Sequence, residues 1–542
     1  MMNVTNVTIV GAGPTGLVLA CDLLSRGINV VIIDKASSPS TTSRAIGLQP
    51  RGYEILERLG ATDGLINEAI RASGTLLHLG SEQSLMLDQT VDCSGPLLIG
   101  QDRLEARLRA RLAELGGRVL WGWKLDDLRQ TEENVVATIS HKSSRELVRA
   151  DWLVGCDGAH SAVRKLLNIP FQGSTFPETM VLADVDVDTS FPADTLQSWL
   201  HPDGLFAMAP LPGGRWRLFA ELNGNDPAME RRCQDLAETN LDPCTQRELQ
   251  SLCNKRTGNT VGAIVKLIWS SQFRFHQRLA ACYRVNRCVL AGDAAHVHSA
   301  QGAQGMNMGI GDAFNIGWKL AAVIERSARS NLLQTYELER RPVAAKVLGR
   351  TSYGWRLTLG KTLLSRVVRD FVVLPLMRTE AIQRSLARSA SQLHETYRSG
   401  PLGVDSLIGK LKAMWPGRVV PGDRLPDLKV KGYDGAEVTL GRVIGNNWAI
   451  IRWRDAAYST NAWIVEVKVC SSLLDCQREV EDIFLHQTSV FDPPFRTGRG
   501  CKTVRLIKPQ RDELFLVRPD GHLAQRTQQF TDITKWIERL RR

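Results

Sequence analysis

The sequence lacks the signatures of metal-based and covalent catalysis. Its 542 residues hold 11 cysteines, an odd number, with no Cys-x-x-Cys pair; the nearest approaches are Cys282–Cys288 and Cys470–Cys476. This argues against a disulfide framework, a dithiol centre and zinc spacing, and fits a reducing, cytoplasmic setting. There is no G-x-S-x-G, no H-E-x-x-H and no Walker lysine, so a bound cofactor is expected to carry any chemistry. Long apolar runs are also missing. FVVLPLM (Phe371–Met377) is too short to cross a bilayer and is flanked by Arg369, Asp370 and Arg378. The first apolar run, VTIV, has no basic region ahead of it and leads straight into glycines, unlike a signal peptide. Neither integral membrane insertion nor secretion is expected.

Dense blocks of Lys and Arg are absent too, although the net charge is +11. The basic residues are spread out, as in RLEARLRARL (Arg103–Leu112), where Leu104, Leu108 and Leu112 share one helical face and the arginines form the solvated one. Nucleic acid is therefore not an expected partner, and binding of nucleotide phosphates accounts for the surplus. The chain is too long for one core, so two or three domains are expected.

What is present begins at Val7. VTIVGAGPTGLVLACDLLSRGINVVIID (Val7–Asp34) reads as a strand, a glycine turn, a helix and a second strand ending in an acid. Gly11 permits the tight turn, Gly13 lets backbone approach a pyrophosphate, and Gly16 lets helix and strand pack closely. Pro14 and Thr15 lie inside the turn, and Leu17–Arg26, ended by Gly27, carries the periodicity of a helix whose N-terminus offers N–H groups to the phosphates. Asp34, eighteen residues after Gly16, is placed to accept from ribose hydroxyls and would repel a 2′-phosphate; Lys35 follows it and is counted with these contacts. At this point the ligand is FAD or NAD.

Two later segments repeat the strand-to-helix theme. DWLVGCDGAHSAVRKLLNIP (Asp151–Pro170) turns at Asp157-Gly158, with Ser161 as N-cap of a helix through Leu167. RCVLAGDAAHVHSAQGAQGMNMGIGDAFNIGWKL (Arg287–Leu320) admits three readings: a metal site, a histidine-assisted site or a phosphate cradle. Cys288–Ala291 is expected as a strand ending at Gly292-Asp293. The region 305–309 is expected as a loop offering N–H groups to a carbonyl-bearing ring, and Gly311–Leu320 as helix. His296 and His298 lack a third ligand at metal spacing, so they are taken as caps of the loop.

Together GAGPTG, GCDGAHSAVRK and LAGDAAHVHSAQGAQGMNMGIGDAFNIGWKL resemble the three fingerprints of the class A FAD-dependent aromatic hydroxylases, the para-hydroxybenzoate hydroxylase-like family, and LLQTYELERRPVA (Leu332–Ala344) resembles its continuation. The resemblance implies that Asp34 binds the adenosine ribose of FAD and that Arg44 lies near the cofactor. Gln101 contacts the ribityl side, and Asp157 serves both FAD and the pyridine nucleotide. Asp293, after Gly292, binds the ribityl chain, while Gly305, Met306 and Asn307 approach the isoalloxazine. One departure is visible: Ala300 stands where the family usually has proline, which leaves the backbone there freer.

The resemblance further implies a cycle in which NADPH or NADH reduces FAD and reduced flavin traps O2 as a C4a-hydroperoxide that hydroxylates an electron-rich ring, usually a phenol. Such a cycle needs a dry pocket and a held substrate. Met180–Asp188 alternates as a half-buried strand, and Gly204–Leu222 reads as a hairpin turning at Pro212-Gly213-Gly214. His201, Phe206, Met208 and Trp216 are the candidate pocket side chains, with Arg217 near the cofactor; no residue is assigned as general base.

Helices are expected over 346–398. A Pro/Gly-rich boundary follows, and then a new strand pattern in Asn447–Trp453 and a hairpin over Glu513–Arg526. PGDRLPDL and LVRPDGHLAQR resemble the thioredoxin-like domain appended to phenol and polyketide hydroxylases. Without a dithiol its expected role is structural or homodimer-forming. The expected organisation is α/β: a Rossmann-like FAD-binding domain in two parts (1–175 and 281–398, the latter with a helical segment), an inserted β-sheet substrate domain (176–280) and a thioredoxin-like α/β domain (399–542). The expected activity is aromatic hydroxylation; the alternatives are Baeyer–Villiger oxygen insertion on a related polycyclic substrate and a catalytically silent flavin-binding protein.

Overall fold

A computed structural model describes residues 3–41, 45–79, 84–90, 95–222, 244–298, 304–359, 367–403, 419–431, 436–455, 463–486, 495–497, 510 and 512–541. Arg44 and Ala300 lie outside the described residues.

Asn3–Val10 is the centre of the first sheet. Val30–Asp34 and Val119–Trp121 continue it in parallel on one side; Ser144–Gly155 and Cys288–Leu290 do so on the other. Strands buried on both faces read as continuous apolar runs, which is why Val7, Ile9, Ile32 and Ile33 are all sealed. The principal helices are α1 (Pro14–Ser25), α2 (Pro50–Arg58), α3 (Gln101–Glu114), α4 (Gln246–Thr257), α5 (Gly305–Ile324) and α6 (Gln334–Leu359).

Helix α5 starts six residues before the expected position, so the 305–309 segment forms the first turns of a helix rather than a loop. Glycine weakens a helix by about 1 kcal/mol relative to alanine, which suggested a loop there. Packing overrides that cost: a Cβ on Gly309 would lie 2.3 Å from Thr15 Oγ1, and one on Gly317 would lie 2.1 Å from Asp22 Oδ2. The glycines let α5 lie directly on α1.

The second sheet has eight strands, in the order His296–Val297, Ala263–Ala280, Phe171–Asp188, Arg215–Leu222, Gly204–Leu211, Thr195–His201, Gly74–His78 and Ser84–Asp88. The hairpin turns where expected, with Gly213 and Gly214 both at positive φ. The boundaries differ from those expected. The strands at 74–78 and 84–88 come from the first segment, and Gly74–His78 runs parallel to Thr195–His201. They join because Leu77 and Leu85 bury against Leu200 and Leu374 instead of facing the first core.

The third sheet, in the C-terminal part, has seven strands in the order Glu437–Thr439, Lys429–Lys431, Phe495–Thr497, Trp463–Cys470, Trp448–Asp455, Glu513–Val517 and Leu523–Thr527. Every described pairing in it is antiparallel. One face, through Trp448 and Ile450, packs together with Trp536 of the helix Phe530–Arg541 against Trp318 and Leu332 of the first unit. Among the described residues, no helix is long and apolar enough to cross a membrane.

Candidate active site

The three glycine-containing segments, far apart in sequence, converge at the carboxyl ends of the first sheet. Gly11, at φ +103°, sits so close to the second segment that a Cβ would fall 2.3 Å from the Cys156 carbonyl; one on Gly16 would lie 2.0 Å from the Gly11 carbonyl. Gly13 differs, since a Cβ there meets nothing within 4 Å. The helix it caps has no side-chain hydrogen bond at its N-terminus and starts with Pro14 at its first position. Two glycines close the turn and the third leaves open space over free N–H groups, as a pyrophosphate requires.

Asp34 closes the same turn. Its Oδ2 accepts from the Ala12 backbone N and its Oδ1 from that of Ala36, both at 2.8 Å, which fixes the carboxylate at the strand end. Lys35 beside it is exposed. Thr15 touches the third segment: its Oγ1 would be 2.5 Å from a Cβ on Gly292, which has φ +62°. Asp293 follows in a single 3-10 turn and is exposed. Gln101 opens α3, with its backbone N bound to the Ala45 carbonyl and its Nε2 to Glu105 Oε1 at 2.8 Å.

Asp157 Oδ2 accepts from the backbone N of Ala162 (2.6 Å) and Val163 (3.2 Å), while Ser161 caps the helix through Arg164 N. Burial raises the Asp157 carboxyl above its usual value. Its Oδ1 is buried without a partner, an acceptor left over for a ligand hydroxyl. Arg164 ties this segment to the third by donating to the Ala294 carbonyl at 2.9 Å.

At the other end of the cleft, Asn307 on the first turn of α5 holds the segment Gly47–Gln49, which leads into α2. Gly305 and Met306 precede it on that turn. Sequence reasoning missed both Gly47–Gln49 and the ion network beneath. Asp312 takes His296 Nε2 at 2.6 Å, Arg340 Nε at 2.7 Å and the Gly292 backbone N at 3.1 Å. Burial alone would raise Asp312, but the His296 ring and the Arg340 guanidinium hold it below the ordinary carboxylate value. His296 is wholly buried in this network. The signals were available: Asp312 sits in the glycine-rich segment itself and Arg340 in LERRP.

The pocket candidates divide between the two faces of the second sheet. Phe206, Met208 and Trp216 pack with Leu249 and Cys253 of α4, on the face that helix covers. That corrects the expectation for these three side chains: strand parity points them away from the open face. His201 lies at the end of its hairpin, where its Nδ1 accepts from the Asp203 backbone N, so the structure does not bring it to the open face either. Arg217, one residue after Trp216, lies on the opposite face and pairs with Asp184 through Nε (2.6 Å) and a terminal nitrogen (2.8 Å); its NH1 is buried without a partner. Further along that face Met180, Phe219, Phe273 and Phe275 form a cluster, with Phe219 and Phe273 only half-buried. Trp269 donates to Asp184 Oδ2 at 2.9 Å.

Residues 4–351 match the family model described as FAD binding domain. A 6-methylpretetramide 4-monooxygenase of Streptomyces rimosus is 36% identical over 352 residues, 64% of this chain and 60% of that relative. A flavin-dependent monooxygenase of Mycobacteroides abscessus is 34% identical over 448 residues, 78% and 83% of the two chains. The solved structure of an anhydrotetracycline hydroxylase from Streptomyces rimosus aligns with a TM-score of 0.71 at 27% identity, covering 97% of this chain and 96% of that one. The chain belongs to this family of FAD-dependent aromatic monooxygenases, and FAD is its cofactor.

Proposed function

We propose that the chain hydroxylates a phenolic ring of a polycyclic, polyketide-like aromatic, consuming O2 and NADPH or NADH. The observation that carries this reading is one face of the second sheet, which presents an aromatic cluster of Phe219, Phe273 and Phe275 and, further along the same strands, the buried ion pair Arg217–Asp184 beside Trp269. Flat aromatic rings stack on such a surface, and Arg217 NH1 offers a donor to a phenolate or carbonyl oxygen.

When bound, FAD would supply the redox chemistry that links the pyridine nucleotide to O2. The residues proposed to hold it are those of the cradle. Gly11, Gly13, Pro14, Thr15 and Gly16 serve the pyrophosphate, and Asp34 and Lys35 the adenosine end. Gln101, Gly292 and Asp293 serve the ribityl region, Asp157 serves both FAD and the pyridine nucleotide, and Gly305, Met306 and Asn307 serve the ring. The half-buried phenylalanines exclude water from the reacting edge. The finer architecture belongs to the same proposal: an inserted substrate sheet, and a C-terminal unit that is thioredoxin-like by its motifs and structural or homodimer-forming in role. A cytoplasmic location rests on cysteine usage.

The test is NADPH oxidation with a panel of phenols and anthraquinone-like compounds under labelled O2. A labelled ring hydroxyl supports the reading. A labelled lactone would replace it with oxygen insertion beside a ketone. Absence of flavin reduction under every condition would leave a silent flavin-binding protein.

A further inference from the structure

The turn Arg518-Pro519-Asp520-Gly521-His522 is polar and yet sealed, with Arg518, Asp520 and His522 at 0%, 2% and 1% exposure. It belongs to the C-terminal sheet, but its partners lie in the flavin unit. Asp520 Oδ2 accepts from Asn315 Nδ2 and Trp318 Nε1 of α5, both at 3.2 Å. The Asp520 carbonyl accepts from Arg51 of α2 at 2.6 Å. Arg518 forks onto Glu339 of α6 at 2.7 and 2.8 Å, and Lys319 of α5 binds the same carboxylate at 2.8 Å.

Burying so many ions carries a desolvation cost of several kcal/mol each before pairing offsets it. Adhesion between the two units does not require them, because the apolar contact of Trp318, Trp448 and Trp536 lies alongside. A forked ionic network adds a defined registration of the parts it joins, which greasy contact does not. The parts it joins are informative. Arg51 lies two residues after Gln49, and Asn315 lies eight residues after Asn307, roughly 12 Å along the helix. Helices α2 and α5 therefore carry the two sides of the ring cradle at their N-terminal ends and are gripped by one turn behind it.

We propose that the Arg518–His522 turn is a positioning element of the flavin cradle, setting the spacing between residues 47–49 and 305–307 through α2 and α5. This rests on the reading of those residues as the ring-binding edge. It gives the C-terminal unit a part in the oxidation without a dithiol of its own.

The test uses the full-length holoprotein, with Asp520→Asn and Arg51→Lys as variants and Val467→Ala as comparator. Val467 is buried in the core on the other face of the C-terminal sheet, with Trp453 and Phe515. Well below each unfolding transition, Asp520→Asn and Arg51→Lys should weaken FAD binding roughly two- to thirty-fold, the range for changes along a coupled network, and shift the visible spectrum of bound flavin. Val467→Ala should lower the melting temperature and leave FAD affinity and spectrum unchanged. Wild-type affinity and spectrum in both turn variants would overturn the proposal, as would an equal change in Val467→Ala. Arg51→Lys leaves the Arg518–Glu339 pair intact, so it decides alone if Asp520→Asn fails to fold. A wild-type protein that binds no FAD would overturn the cradle reading itself, a distinct result.

Discussion

Asn307 and Gln49, 258 residues apart, are joined at 2.9 Å: the Gln49 backbone N donates to Asn307 Oδ1, while Asn307 Nδ2 donates to the Gly47 carbonyl at 2.9 Å. One buried amide thus satisfies a backbone donor and a backbone acceptor of the 47–49 edge and ties it to α5. Asn307→Ala removes the partner of two buried backbone groups, at a cost of about 1–3 kcal/mol of stability for each. Asn307→Asp keeps the acceptor and loses the donor. Both should weaken FAD binding, with Asn307→Asp the milder in thermal melting; equal melting for wild type and Asn307→Ala would contradict this role.

The glycines of the first turn should separate into two kinds. Gly16→Ala forces a methyl to within 2.0 Å of the Gly11 carbonyl, so a loss of about 1–3 kcal/mol or more is expected from overpacking. Gly13→Ala meets only open space and should melt like the wild type as apoprotein. Its defect should appear in FAD affinity, roughly tenfold or more, equivalent to about 1.4 kcal/mol. Calorimetry of apoprotein beside FAD titration distinguishes the two.

The two faces of the second sheet make a matching pair. Met208→Ala opens a cavity under α4 and should cost about 2–5 kcal/mol of stability with KM unchanged. Arg217→Lys keeps the charge but loses the fork onto Asp184, so KM for the aromatic substrate should rise on the order of tenfold while FAD affinity holds. A KM effect at Met208 with none at Arg217 would reverse the assignment of the faces.

These contrasts show how far the sequence could be read. The glycine turn, Asp34 and the Ser161 cap are local: each depends on a few consecutive residues and was legible. The start of α5 was not, because Gly305 and Gly309 argue for a loop until Thr15 is seen against Gly309. Nor were the pocket side chains. Alternation along Gly204–Leu222 separates two sets of side chains, but only α4, folded over from 246–257, determines which set is covered. The same holds for Arg518 and Asp520: their partners in the flavin unit lie 179 to 469 residues away, and a charged turn in sequence reads as solvent-facing.

Acid stability should report on that turn. Burial would raise Glu339, yet Arg518 and Lys319 hold its carboxyl at about 2, below the ordinary 4.5. A depressed acid contributes its full stability above the unfolded value and loses it as pH falls towards the folded one. The melting temperature of the wild type should therefore fall between pH 4.5 and 2. Glu339→Gln should melt lower at neutral pH and show a shallower slope across that window. An unchanged slope would assign the acid sensitivity to other carboxylates.

The central claim is that the open turn at Gly13 grips FAD. Titration of apoprotein with FAD, followed by flavin absorbance and fluorescence, tests it most directly, comparing the wild type with Gly13→Val. The account predicts one tightly bound FAD per wild-type chain and little or none in a Gly13→Val protein that melts normally. No saturable binding by the wild type, or equal binding by both proteins, would contradict it.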